Sequence, residues 1–198
     1  MSEYVWFNSK QIPVIRIVKG SSKFYANLIR SYLRNHEVVQ IFSTDTRVTL
    51  AIWLIYDMSK EIYIDNIFVS WVDETPTLSF LVHSQIDPCP VNEINLKDGD
   101  FYIKYSKNTD LKTIQRLLND KPHASIICAG SPCYHLLSII PYLYTIGFIY
   151  YNIGVVKTYD AATGMEKAGI KVSVIPFNDE MLDMQPHFLQ ETTMQEVL

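Results

Sequence analysis

The sequence predicts a mixed α/β fold of the α+β kind, built from two consecutive β-α-β-α-β-β units. Three observations predict it. Two segments match element by element. From the second strand to the third they keep an offset of about 86 residues, the signature of a repeated supersecondary unit. A stretch with two prolines and polar clusters parts them at 84–99, as linker chemistry does. The 198 residues suit two small domains, and 48% apolar against 19% charged residues supplies material for cores and excludes wholesale disorder.

The first unit opens with Val14-Ile-Arg-Ile-Val-Lys19, a β-branched run that predicts a strand. A helix over 22–35 follows, with Phe24, Leu28, Ile29, Tyr32 and Leu33 at helical spacing and Ser21 or Ser22 as its cap. Val38-Val-Gln-Ile-Phe42 is short and apolar, as an interior strand is. Ser43-Thr-Asp-Thr-Arg47 starts a second helix whose covered face holds Leu50, Ala51, Trp53, Leu54 and Met58. A long strand, Ile62 to Val72, and a return, Leu78 to Val82, close the unit as a hairpin.

The second unit repeats the order. Phe101 to Lys107 is its first strand, and Thr109 or Asp110 caps a shorter helix carrying Leu111, Ile114, Leu117 and Leu118. Ala124 to Ala129 is the interior strand. Gly130-Ser-Pro-Cys133 starts the next helix, with Ser131 as cap and Pro132 at the first helical position. Leu136, Leu137, Ile140, Leu143 and Tyr144 cover its face, and Pro141 removes a backbone donor and kinks it. Strands at 149–159 and 170–175 form the closing hairpin, with a turn about six residues longer than in the first unit and Asn152 in the place of Asn66. The units therefore span 12–83 and 100–177, and 178–198 is an acidic, flexible tail with five acids and no Lys or Arg.

The N-terminus lacks the basic flank and apolar run of a signal peptide, and no stretch reaches the roughly 18 apolar residues of a membrane span, so a soluble, nuclear or cytoplasmic protein is expected. Cys89, Cys128 and Cys133 are odd in number and show no paired metal or redox spacing. The five histidines share no helix at metal-ligand spacing, so neither a metal nor another cofactor is expected. Ser131-Pro-Cys133-Tyr-His135 places a thiol at a helix start, where its pKa can fall, but capping accounts for the same residues with less assumption. No catalytic constellation emerges, and no enzyme activity is expected.

This order of elements, with Lys19 ahead of the first helix and a long closing hairpin, resembles the Alba superfamily over both units. Members are similar to small archaeal chromatin proteins and to paired protein subunits of ribonuclease P and MRP, which act as dimers. The resemblance implies a pseudo-dimer made within one chain, with no self-dimer required. It also implies nucleic-acid contacts from basic residues at the first helix start, from the small-residue turn before the second helix, and from a basic hairpin. In this sequence those positions are Arg16, Lys19, Lys23 and Arg47 in the first unit and Lys107, Gly130 and Ser131 in the second. Only the second unit keeps the family's glycine, and Asp73-Glu-Thr-Pro-Thr77 is acidic where a DNA-binding member would be basic.

The net charge is −4, and residues 1–60 hold eight Lys and Arg against four acids while the remainder holds nine against seventeen. The first unit thus reads as basic and the rest as acidic, which opposes whole-surface attraction to nucleic acid. Trp71, Phe80, Tyr150 and Tyr159 on the hairpins are the candidates for an exposed aromatic patch that binds protein. The expected function is a non-catalytic accessory subunit of a nucleic-acid-processing or nucleic-acid-modifying complex, of ribonuclease P/MRP-like or methyltransferase-like type. It would bind partner subunits and, weakly, RNA or DNA. The alternative is a stand-alone RNA- or DNA-binding protein that uses the first unit.

Overall fold

The computed structural model describes residues 4–84, 101–121, 123–159 and 163–178, which fall into two compact units on either side of 85–100. The expected linker, the acidic tail beyond Asn178, Cys89 and His187 lie outside the described residues. The fold is mixed α+β, with two sheets and four α-helices among the described residues.

In the first unit β1 (Val5–Phe7) and β2 (Pro13–Arg16) lead into α1 (Ser22–Leu33), followed by β3 (Val38–Thr44), α2 (Val48–Asp57), β4 (Ile62–Val72) and β5 (Thr75–Ser84). The sheet order is β1-β2-β3-β5-β4. β2 and β3 run parallel, joined by α1, and β5 inserts antiparallel between β3 and β4. β1 was not foreseen. It pairs antiparallel with β2 along Val5↔Ile15 and Phe7↔Pro13, so Pro13 serves near an edge and the sheet gains a fifth strand.

Alternation along the strands sorts the faces. Val39, Ile41 and Ser43 are buried beneath α1 and α2, together with Leu78, Phe80 and Val82 opposite them in register. The core of α1 is rotated from the expected stripe: Tyr25, Ala26 and Ile29 are buried, whereas Phe24 is 45% exposed and lies edge-on to Tyr25 and Tyr4. In α2 the apolar residues run all round the helix, so periodicity could not choose a face; Val48, Ala51, Ile52, Leu54 and Ile55 are inside and Trp53 is 44% exposed.

In the second unit β6 (Tyr102–Lys104), α3 (Leu111–Leu118), β7 (Ala124–Ala129), α4 (Pro132–Ile139), β8 (Phe148–Tyr159) and β9 (Glu166–Pro176) give a sheet of order β6-β7-β9-β8. β6 and β7 are parallel and β9 inserts between β7 and β8. Ile114 and Leu118 of α3 are buried and Leu117 is on the outside. Pro141 acts as a helix terminator: α4 stops at Ile139 and a 3-10 segment, Ile140–Ile146, carries Leu143 inside and leaves Tyr144 exposed.

The hairpins agree in one detail that pairing alone reveals. β4 carries a bulge between Ile64 and Asn66, and β8 carries one between Tyr150 and Asn152, so each asparagine follows the extra residue. The loops differ by four residues rather than six, since β4 and β5 are joined by Asp73 and Glu74 alone, both at positive φ as a two-residue hairpin turn requires.

Candidate nucleic-acid interface

Topology gathers the expected contact residues before any side chain is considered. Because β2 and β3 are parallel, α1 and α2 both start at the carboxyl edge of that pair, and Thr44↔Thr77 pairing brings the β4–β5 turn to the same edge. Lys19, Lys23 and Arg47 therefore share one edge of the sheet, all exposed. Arg16 is also exposed but sits within β2, opposite Phe42. The same edge carries the exposed acids Asp45, Asp73 and Glu74, three against three, so it is not a uniformly positive surface.

The loop bearing Lys19 is fixed by Tyr25. Its hydroxyl accepts from the Val18 amide at 2.9 Å and donates to the Lys19 carbonyl at 2.8 Å, with the ring fully buried. Gly20 beside it takes φ +128°, a conformation that side chains resist. Ser21 caps α1 through a bond from the Phe24 amide to its Oγ. Removing the hydroxyl in Tyr25→Phe leaves two backbone groups without their partner and is expected to cost about 1–2 kcal/mol. Hydrogen exchange of the Val18 amide checks this, with faster exchange than in the wild type as the expected result.

The turn before α2 shows that the missing glycine is not a missing conformation. Ile41 pairs with Phe80 as Ile126 pairs with Val172, which places Asp45 where the second unit has Gly130; their φ angles are +56° and +68°. Aspartate is among the few residues that enter this region readily. The chain turn is thus the same, but a carboxylate replaces a hydrogen beside any approaching anion.

Arg30, one of the eight bases of residues 1–60, is paired with an acid. Its guanidinium grips Glu61 through two bonds of 2.6 and 2.7 Å, and that hydrogen bonding holds the Glu61 carboxyl below its ordinary range. Both groups are over two-fifths exposed, so the pair contributes little to stability.

In the second unit Lys107, Gly130 and Ser131 likewise occupy the carboxyl edge of β6 and β7. Asp110 caps α3, and bonds from Thr113 hold its carboxyl below the usual range, so this helix start already carries its own anion. Ser131 does not cap as expected: its backbone is already helical at φ −57° rather than extended as a capping residue's is, and its side chain makes no cap bond. Cys133 lies inside and donates to the Cys128 carbonyl at 3.4 Å; that thiol pair and burial push the Cys128 thiol well up, away from a reactive thiolate.

The aromatic set divides. Tyr159 is 57% exposed, with the Lys157 ammonium over its ring at 5.7 Å and bound to Glu166 at 2.8 Å. Trp71 and Tyr150 are half-buried. Phe80 is the correction: it has no exposed surface, because its strand is central in the sheet rather than an outer arm.

The unit boundary also corrects the charge reading. Residues 1–84 contain eight bases and eight acids, since Glu61, Asp65, Asp73 and Glu74 belong to this unit, whereas 101–178 contain eight bases and four acids. Bases exceed acids within 101–178, whereas over the two whole units, 1–91 with 196–198 and 92–195, acids outnumber bases by two in each. Lys104, absent from the expected set, takes the place in β6 that Arg16 takes in β2, since Ile103 pairs with Ile126 as Ile15 pairs with Ile41. The signal was the polar residue in each strand run.

Among the described residues no group of three or more His, Cys, Asp or Glu could hold a metal ion, and no helix is long and apolar enough to cross a membrane. Neither a protein-family model nor a curated protein matches the chain.

Proposed function

We propose that the chain is a non-catalytic accessory subunit of a nucleic-acid-processing or nucleic-acid-modifying complex, made of two Alba-like units arranged as an intramolecular pseudo-dimer. The observation that carries this reading is the edge geometry: each unit sets two helix starts and the turn-side ends of its two hairpin strands on one side of its sheet. Of these helix starts, those leading into α2 and α4 carry no side-chain cap and can offer amides to an anion, whereas Ser21 and Asp110 cap the other two; exposed hairpin side chains such as Tyr159 offer aromatic surface to protein. The balance of three bases and three acids on the first edge favours a mixed protein and nucleic-acid contact over strong autonomous binding. We place the protein in the nucleus or cytoplasm on this reading.

Affinity purification of the full chain from its native cells tests the proposal. The expected result is stoichiometric recovery of a subunit with a nucleic-acid-modifying or nucleic-acid-cleaving active site; recovery as a lone monomer would overturn it. The second reading, a stand-alone RNA- or DNA-binding protein, draws support from the excess of bases over acids within 101–178.

A further inference from the structure

The strand register of the second unit writes two ordered rows across the sheet face that turns away from α3 and α4. Lys104, Ile127, Lys171 and Gly154 are consecutive partners across β6, β7, β9 and β8, and Tyr102, Ser125, Ser173 and Asn152 form the adjacent row. Side-chain contacts place both rows on one face: the Lys171 ammonium stands 5.8 Å from the Tyr102 ring centroid, and the Ser125 and Ser173 hydroxyls lie 3.4 Å apart. Lys167 shares the face two residues before Gly169, and by this register no acidic side chain of the described strands does. A Cβ at Gly154 would meet nothing within 4 Å, so the end of the lysine row opens onto free space.

We propose that this face is a platform for single-stranded nucleic acid, a site that rests on the functional reading above and gives it a location away from the helix-start edge. The lysine row supplies charge for a phosphate backbone, with Lys104 and Lys171 two strands apart, about 10 Å. The neighbouring row adds the half-buried Tyr102 ring beneath Lys171 and the exposed Asn152 amide, while the Ser125 and Ser173 hydroxyls are buried and bond to one another. A duplex fits poorly, because the face is a sheet surface with no helix or ribbon projecting into a groove. A protein partner fits poorly as well, because lysine is depleted at the centres of such interfaces. The first sheet offers no equivalent: its matching face sets Arg16 beside Phe42 and adds Asp65 facing His83 at 3.9 Å.

The test uses the full chain and fluorescein-labelled oligouridylate, oligothymidylate and a duplex of equal length, read by anisotropy over a salt series. The wild type is expected to bind a single strand more tightly than the duplex, and preference between the first two probes separates RNA from DNA. Lys104→Glu with Lys171→Glu is expected to weaken single-strand binding at least about tenfold and to flatten the log–log salt dependence by about 1.4, since each single-strand phosphate contact contributes roughly 0.7. Lys10→Glu with Lys60→Glu, two exposed bases of the first unit outside both surfaces, should leave that affinity within about twofold. If circular dichroism shows the double glutamate variant misfolded, Lys104→Gln with Lys171→Gln is used and the salt slope decides. Unchanged affinity and slope in the sheet variant, an equal loss in the Lys10 and Lys60 variant, or no binding of any probe would overturn the platform. Recovery of a catalytic partner is scored separately, so either proposal can fall without the other.

Discussion

Replacing Phe80 with alanine is expected to destabilise the first unit by about 3–5 kcal/mol, the range for emptying a buried aromatic site. The residue has no exposed surface, lies opposite Ile41 on one side and Ile67 on the other, and faces the helix layer from a central strand. Neither neighbouring strand can collapse into the gap without breaking its ladder, so the cavity term is retained in full. Phe80→Leu keeps most of the volume and should cost less than about 1.5 kcal/mol. Urea unfolding followed by tryptophan fluorescence reads the effect, because Trp6, Trp53 and Trp71 all belong to this unit. A change below about 1 kcal/mol for the alanine variant would contradict the burial and return Phe80 to the surface.

The second large effect is expected at Gly169, where alanine should destabilise the second unit by about 1–3 kcal/mol. A Cβ there would fall on the Cys128 carbonyl oxygen and within 2.7 Å of the Thr158 methyl group. The first of these is backbone and cannot swing aside. The same carbonyl accepts from the Cys133 thiol, so displacing β7 from β9 also disturbs the start of α4. Amide exchange measured by mass spectrometry should show lost protection in β7, β9 and the first turn of α4. Wild-type protection in all three would mean that the strands can part at this point at little cost.

Much of the fold could be read directly from residue order. Ile62–Val72 and Ala124–Ala129 are strands with the bounds their apolar runs predict, and Ser21 and Asp110 cap the helices they precede. These features depend on neighbours within a few residues, where propensity, turn chemistry and capping act. β1 escaped because three residues, Val5–Phe7, become a strand only when β2 is present to pair with them.

The candidate site was less readable, for a related reason. Charge counted along the chain assigned the basic character to the first unit, because the acids from Glu61 to Glu74 were separated from the strands and helices they fold with. Arg30 looked like one more surface base until β4 brought Glu61 to it from 31 residues away. Phe80 was expected in an exposed aromatic patch because it lies on the closing hairpin, whereas β5 in fact inserts between β3 and β4 and turns Phe80 to the helix layer.

The sequence by itself determined the elements, their order, the alternation of each strand and the helix caps, since all of these are local consequences of side-chain shape and hydrogen-bonding capacity. Only the tertiary structure decided which strand is central, which side of each sheet the helices cover, and which charges share a surface. Those outcomes depend on pairing between segments far apart in the chain, and Lys104 and Lys171 came into one row only because β7 and β9 lie between and beside them in register.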